Sequence, residues 1–392
     1  MKFYVCIPAC NEFDFLFNTL DSLPKDEKVV TLVCVNQPSS WWNDSSKKSV
    51  CINNQRTMEK LISKYPEVIL IDQSSSLSDW GDKNGVGDAR KLLFETAIQM
   101  SDDNDVLVSL DADTVIAKDY FVHLENIFSK REKMAALAVP YYHQLTGDIV
   151  QDRKILLYEI YLRAYSVSLS MINSRYNFTP LGSAIAVRPE NYVKAGGFSE
   201  RQAGEDFYLL QSLSKNFEVG NYCKCQVYPS GRISDRVPFG TGPAVSLSEK
   251  GLLTRYTIYH PDQFTSIGEL YKNVKNFAGG TYQNDFTQFL AINPKFNTVM
   301  NSLKKNNKTL DRFAVALERY ADGLKIQQYL KHSYKGSFGE NLKALLDSLD
   351  YQGDFNPEVL RNKIELFSQI REFLYETDMR LKRESDRRTF KD

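Results

Sequence analysis

Val106-Leu107-Val108-Ser109-Leu110-Asp111-Ala112-Asp113 is a run of strand-forming residues that ends in two carboxylates at i and i+2. In an extended chain that spacing turns both side chains to one face. A buried parallel strand reads as a continuous apolar run, and open α/β sheets receive ligands at the carboxyl ends of such strands. Two carboxylates converging there suit a hard divalent cation, which takes oxygen ligands and keeps a substrate phosphate as another. An Asp-rich turn that merely ends a strand has the same letters, so the flanking segments must decide.

On the N-terminal side, strands and helices alternate. Residues 3–7 read as a strand, which Pro8-Ala9-Cys10-Asn11-Glu12 breaks, and Phe13, Leu16, Phe17 and Leu20 have helical spacing. A second strand spans 29–35. The polar loop 36–55 carries Trp41-Trp42, which either stack on a ligand or pack the loop. A helix over 58–65, a strand over 68–71, a polar loop over 74–88 and a helix over 89–100 complete the first half. Beyond Asp113 the pattern predicts a helix over 118–130, a strand over 135–140 and an amphipathic helix over 153–173. Residues 179–189 read as a loop entering a strand, 207–213 as a helix, 218–227 as a strand and 230–245 as a Gly- and Arg-rich loop. Strand signals then fade, and 252–259, 267–276, 313–329, 339–348 and 357–381 read as helices. The charged residues 382–392 are expected to fray.

The expected fold class is therefore α/β, Rossmann-like, with a mainly parallel sheet and flanking helices over 1–245 and a mostly helical extension over 246–392. Such a sheet brings the loops after Pro8, Asn36, Gln73 and Leu110 to one edge, a nucleotide-site layout. No G-x-G-x-x-G follows the first strand and no G-x-x-x-x-G-K-[ST] occurs, which disfavours a dinucleotide-binding domain and a P-loop NTPase.

The 392 residues hold 49 Lys and Arg against 49 Asp and Glu, so net charge makes no case for a nucleic-acid partner. No apolar run approaches the ~18 residues of a membrane span. Residues 1–8 are too short an apolar run for a signal peptide. The six Cys are scattered, and Cys223 and Cys225, on an expected strand, lack zinc-ribbon spacing. These features point to reduced thiols and a cytoplasmic protein, peripheral at most to the inner face of a membrane.

Four segments, in order, resemble the inverting, GT-A-fold glycosyltransferases of family 2. They are Ile7-Pro8-Ala9-Cys10-Asn11-Glu12, Gly85-Val86-Gly87-Asp88-Ala89-Arg90, Leu110-Asp111-Ala112-Asp113, and the block formed by Gly182 to Arg188, Gly196-Gly197-Phe198 and Gly204-Glu205-Asp206. The likeness covers residues 1–245 and none of the helical extension. It implies a nucleotide-sugar donor bordered by Pro8, Ala9, Asn11 and Glu12, with Gly87, Arg90, Asp111, Ala112 and Asp113 beside it. Asp111 and Asp113 are expected to hold Mg²⁺ or Mn²⁺ against the donor diphosphate. Asp206, as general base, and Glu205 are the expected catalytic residues. Glu205, with Gly182 and Ser183, lies on the acceptor side. Where the family shows an Asp-rich turn this chain has Asn36, which offers both a donor and an acceptor and leaves the base open.

Each assignment has a plainer counterpart. Glu205 and Asp206 are also what a helix first turn favours. Arg90 can reach a phosphate or pair on the surface with Asp88 or Glu95. Arg232 and Arg236 can close over a diphosphate or sit solvated in a surface loop. His260 can complete a metal shell or be structural. The Q-x-x-R-W motif and membrane spans of the processive members are missing. The expected activity is metal-dependent, inverting transfer from a nucleotide-sugar, expected to be a UDP-sugar, to a hydroxyl of a glycan or lipid in surface polysaccharide or glycoconjugate synthesis. The rivals are a nucleotidyltransferase and a non-catalytic binding or scaffold protein. The C-terminal helices are candidates for oligomerisation or partner docking.

Overall fold

The computed structural model describes residues 1–76, 78, 80–83, 85–200, 203–234, 240–357 and 364–391. The chain divides into two compact units, one of residues 1–155, 178–247 and 382–391, the other of residues 156–177 and 248–381. One break falls after 247, where the sequence reads a boundary after 245. The division is not a single cut, however, because two long helices each contribute to both units.

The first unit alternates strands and helices: β1 (Phe3–Ala9), α1 (Leu16–Ser22), β2 (Val29–Asn36), α2 (Lys48–Lys64), β3 (Ile69–Gln73), α3 (Val86–Ile98), β4 (Val106–Ser109), β5 (Thr114–Ile116), α4 (Tyr120–Lys130) and β6 (Met134–Ala138). The start of α5 (Ile149–Met171), then β7 (Ile185–Val187), α6 (Pro189–Lys194), α7 (Glu205–Asn216), β8 (Glu218–Gly220), β9 (Val227–Pro229) and α8 (Thr241–Ser246) follow. Among the described residues the main sheet has the order β3-β2-β1-β4-β7-β6-β8. Every neighbouring pair is parallel except those made by β7, which runs antiparallel to β4 and β6. A small antiparallel sheet pairs β5 with β9. Val5, Cys6 and Ile7 of β1 and Leu32 to Val35 of β2 are fully buried, as expected of strands covered on both faces. This is the predicted α/β architecture with a mainly parallel sheet.

Several local expectations are corrected. Pro8 and Ala9 do not break β1 but belong to it. Opposite them β4 has already ended, its pairing with β1 stopping at Ser109 and Cys6, so one side of β1 is unpaired and a residue without an N–H fits. Helix α2 begins at Lys48, well inside the expected loop. Asn54 and Thr57 on its buried side are polar, which hid the helical period. The expected strand 218–227 is two short strands, and Cys223 and Cys225 lie between them.

The second unit holds the rest of α5 and α9 (Glu249–Arg255), α10 (Pro261–Lys272), α11 (Val274–Ala278), α12 (Asp285–Ala291), α13 (Phe296–Asn306), α14 (Leu310–Tyr320), α15 (Gly323–His332), α16 (Phe338–Ser348) and most of α17 (Ile364–Phe390). Its centre is ionic: Arg163 Nη2 donates to Glu159 Oε1 at 2.6 Å, and Arg163 Nη1 lies 3.5 Å from Asp378 Oδ2. The single helix expected over 313–329 is split where Asp322 caps α15 by accepting from Lys325 N. None of the described helices is long and apolar enough to cross a membrane.

The expected fraying of 382–392 is also corrected, since α17 stays helical to Phe390. In the first unit Asp386 is buried and accepts from Arg131 Nη1 at 2.8 Å and from the amides of Asn221 and Tyr222 at 3.1 Å.

Candidate active site

Three hydrogen-bonded loops frame one end of the site at the carboxyl edge of β1–β3. Asn11, in the left-handed region at φ 59°, donates its amide to Asn54 Oδ1 at 2.7 Å. Asn54 Nδ2 in turn donates to Gln37 Oε1 at 2.8 Å, and Gln37 Nε2 to Cys51 Sγ. Trp42 donates its indole N–H to Ser74 O, and Lys48 lies over its ring. Asn36 is buried at the end of β2. The Gln37–Asn54 pair was not singled out from sequence, because two amides seventeen residues apart carry no motif.

Asp111 and Asp113 lie beyond the end of β4, in the turn closed by Thr114 N donating to Asp111 O. They are therefore not aligned by an extended strand, as their spacing suggested, but each is held by its own arginine. Arg90 Nη2 donates to Asp111 Oδ1 at 2.5 Å, and Arg232 Nε donates to Asp113 Oδ2 at 2.7 Å. Topology explains the second pair. Strand β9 ends opposite the start of β5, with Pro229 paired to Thr114, so the chain after β9 passes beside Asp113. Arg232 also donates through Nη2 to Glu12 Oε1 and Oε2, at 2.5 and 2.7 Å, and its guanidinium stands 4.0 Å from the Phe15 ring centre. Arg232 is thus neither solvated nor free. Arg236 lies outside the described residues.

Arg90 departs most from its surface alternative. It is 4% exposed and reaches inward, past the first turn of α3, instead of to Asp88 or Glu95. Its Nη1 donates to Ser109 Oγ at 3.3 Å and its Nε lies 3.2 Å from Glu205 Oε1. Ser109 Oγ donates to Gly182 O at 2.5 Å. A Cβ on Gly182 would collide with both terminal nitrogens of Arg90, so glycine is needed there for the guanidinium to lie flat. Ser183 beside it is buried, as is Gly87 in the first turn of α3. Ser109 was missed by the sequence reading. Its signal is a hydroxyl in an apolar strand, two residues before Asp111.

Glu205 and Asp206 open α7, whose N-cap Gly204 has φ 81°, a conformation that glycine adopts without strain. Glu205 is 3% exposed. Burial pushes its carboxyl up, Arg90 opposes, and neighbouring Asp206 adds to the rise. Asp206 accepts from Phe207 N at 2.7 Å. Burial raises its carboxyl above the ordinary aspartate value; Arg90 and the Phe207 amide pull it down, and Asp111 pushes it further up. Burial likewise raises Asp113 in spite of Arg232. Geometry and electrostatics therefore join Asp111, Glu205 and Asp206 around Arg90, and Glu12 and Asp113 around Arg232.

The donor set offers a hard cation oxygen ligands from two carboxylates, of which Asp111 is the more open, its side chain 37% exposed. No third Asp, Glu, His or Cys joins them into a metal-binding group among the described residues. A Mg²⁺ site fits this pair, because such sites commonly take one or two carboxylates and complete the shell with substrate phosphate and water. His260 belongs to the second unit. There its Nδ1 accepts from Asp262 N and its own N–H donates to Gln263 Oε1, which caps α10. That is the structural alternative for this residue.

No protein-family model matches the chain, and no curated protein sequence does. Among solved structures it is similar to S. aureus TarS 1-349 in complex with UDP-GlcNAc, at 13% identity over 85% of this chain and 93% of that one, with a TM-score of 0.42. It is also similar to the mannosyltransferase PcManGT from Pyrobaculum calidifontis in complex with GDP-Man and Mn²⁺, at 12% identity over 97% and 86% of the two chains, TM-score 0.39. A third likeness is to GalNAc-T7 with UDP, GalNAc and Mn²⁺, at 11% identity over 77% and 54%, TM-score 0.35. Likenesses this distant carry no argument about the ligands or chemistry of this chain.

Proposed function

We propose that the chain is a glycosyltransferase of GT-A architecture, similar to family 2 and inverting, that moves a sugar from a nucleotide-sugar, expected to be a UDP-sugar, to a hydroxyl of a glycan or lipid acceptor. The observation that carries this reading is Arg90. One buried guanidinium binds Asp111 beside the end of β4 and also reaches Glu205 at the start of α7. Direct transfer needs an acid that manages the leaving diphosphate, the role of Asp111, and a base for the incoming hydroxyl, the role of Asp206 next to Glu205.

In this reading the acceptor oxygen attacks the anomeric carbon while Asp206 takes its proton. The bond from that carbon to the diphosphate oxygen breaks, and the electron pair leaves with the nucleoside diphosphate. A carboxyl raised above its ordinary pKa is the stronger base, which suits Asp206. Asp111 and Asp113 would hold Mg²⁺ or Mn²⁺, whose Lewis acidity neutralises charge growing on the leaving group. Arg232 adds a fixed cation on the same side. Pro8, Ala9, Asn11, Glu12, Asn36 and Gly87 frame the donor. Glu205 positions Arg90, and Gly182 and Ser183 back it from the acceptor side. Surface polysaccharide or glycoconjugate synthesis is the proposed setting.

The test is release of free nucleoside diphosphate from a panel of UDP-, GDP-, CDP- and dTDP-sugars with acceptor extracts. Asp206→Asn should keep donor binding and lower turnover by roughly 10²–10⁴, the usual worth of a general base. EDTA should abolish release and Mn²⁺ restore it. Turnover that survives both EDTA and Asp111→Ala would remove the metal from the reading. No release from any donor would favour a binding protein.

A further inference from the structure

Positive charge is unevenly spread in this electrically balanced chain. Residues 272–319 hold eight of its 49 Lys and Arg but only three of its 49 Asp and Glu. One of the three acids, Glu318, is paired with Arg175. All eight cations are exposed, and none makes an ion pair among the described residues.

The helices of this stretch bury apolar residues and leave their cations exposed. In α13, Phe296, Val299, Met300 and Leu303 recur at helical spacing, with Met300 buried and the others half-buried. Lys304 and Lys305, about 100° apart around the helix, are both exposed, Lys304 at the edge of that apolar stripe. In α14, Phe313 and Leu317 are buried while Arg312, Val315 and Arg319, spaced i, i+3 and i+7, are exposed. Lys308 stands in the short turn between the two helices. Four cations therefore crowd one helix corner against a single exposed acid, Asp311, and Leu310 is 45% exposed among them. At the other end of α13, about 16 Å away at 1.5 Å per residue, Ile292 is 63% exposed next to Asn293, Pro294 and Lys295.

Helix chemistry accounts for only part of this corner. Lys304 and Lys305 suit the last turn of α13, where the helix dipole favours cations. Arg312 sits in the first turn of α14, where the dipole disfavours one, and neither Leu310 nor Ile292 is covered.

We propose that α13 and its corner with α14 dock on an anionic lipid bilayer, the cations at headgroup level and Ile292 and Leu310 entering the boundary with the acyl chains. Charge complementarity selects an anionic surface, and the two exposed aliphatic side chains select a bilayer over a soluble polyanion. This goes beyond the proposed transfer reaction and does not depend on it.

The experiment is co-sedimentation of the full chain with phosphatidylcholine vesicles and with vesicles containing about one-third phosphatidylglycerol. Binding should require the anionic lipid and fall in high salt. Lys304→Glu with Lys305→Glu should weaken it roughly tenfold or more, since each cation near such a surface is worth ~1 kcal/mol. Ile292→Asn with Leu310→Asn should weaken it as well. The charge-matched control, Lys130→Glu with Lys133→Glu in the first unit, should leave it unchanged, and circular dichroism checks that each variant is folded. Absence of binding to anionic vesicles overturns the proposal, as does an equal loss in the control. Binding that ignores the two aliphatic substitutions while soluble polyphosphate competes it away overturns it in favour of a polyanion surface.

Discussion

Gly182 is the residue on which the Arg90 cluster is built, and its effect is steric. Its backbone does not need the left-handed region, yet a single methyl there would meet the Arg90 guanidinium. Gly182→Ala should therefore act through Arg90, leaving Asp111 and Glu205 without their shared cation. Stranding a buried charge costs about 3–5 kcal/mol. Chemical denaturation should show a loss of that order, and Gly182→Ala with Arg90→Lys should recover part of it, because a single ammonium needs less room than the planar fork. Asp386 makes a second residue-scale prediction. Burial raises its carboxyl to about 6, against the pull of Arg131 and two amides. The folded state therefore holds a proton there that the unfolded chain has released by the ordinary aspartate value. Its contribution to stability is complete below about pH 4 and is lost as pH rises through about 6. The amplitude is on the order of 2–3 kcal/mol. Denaturation midpoints measured across that window should slope downward in the native chain, and Asp386→Asn should flatten the slope.

At the scale of elements, the last turns of α17 belong to the first unit, not to a loose tail. Truncation after residue 381 removes Asp386 and leaves Arg131 and the amides of Asn221 and Tyr222 without it. Hydrogen exchange at Asn221 and Tyr222 should speed up by at least tenfold in the truncated chain, where true fraying predicts no change. This segment was illegible in sequence because a charged run reads as solvated, and only a partner 255 residues away shows otherwise. Strands β1, β2 and β4 were legible because strands buried on both faces are written as unbroken apolar runs. Helix α2 was half hidden, since its buried Asn54 serves neighbouring loops, its buried Thr57 donates to Asn53 O within the helix, and both break the apolar period. In the site, the acids could be read from their motifs, but not their pairing. That Arg90 turns inward to Asp111 while Arg232 takes Asp113 and Glu12 follows from the β5–β9 pairing and the Gly182 gap, which have no signature in spacing.

For the whole molecule, a net charge of zero conceals two opposed regions. The sequence pI of about 6.9 predicts weak retention on a cation exchanger at slightly alkaline pH, if charge were spread evenly. It is not, for residues 272–319 are strongly basic and the remainder of the chain is correspondingly acidic. A resin, like any charged surface, meets the local field within about one Debye length, ~10 Å at moderate salt, and not the net charge. The chain should therefore bind a sulfopropyl matrix at low ionic strength above its pI and elute as salt shortens that length. Lys304→Glu with Lys305→Glu should elute distinctly earlier, and Lys130→Glu with Lys133→Glu, which changes net charge by the same amount, should shift elution much less. Equal shifts for the two pairs would mean that the cations act as scattered charges, and α13 with its corner would lose its standing as a distinct electrostatic face.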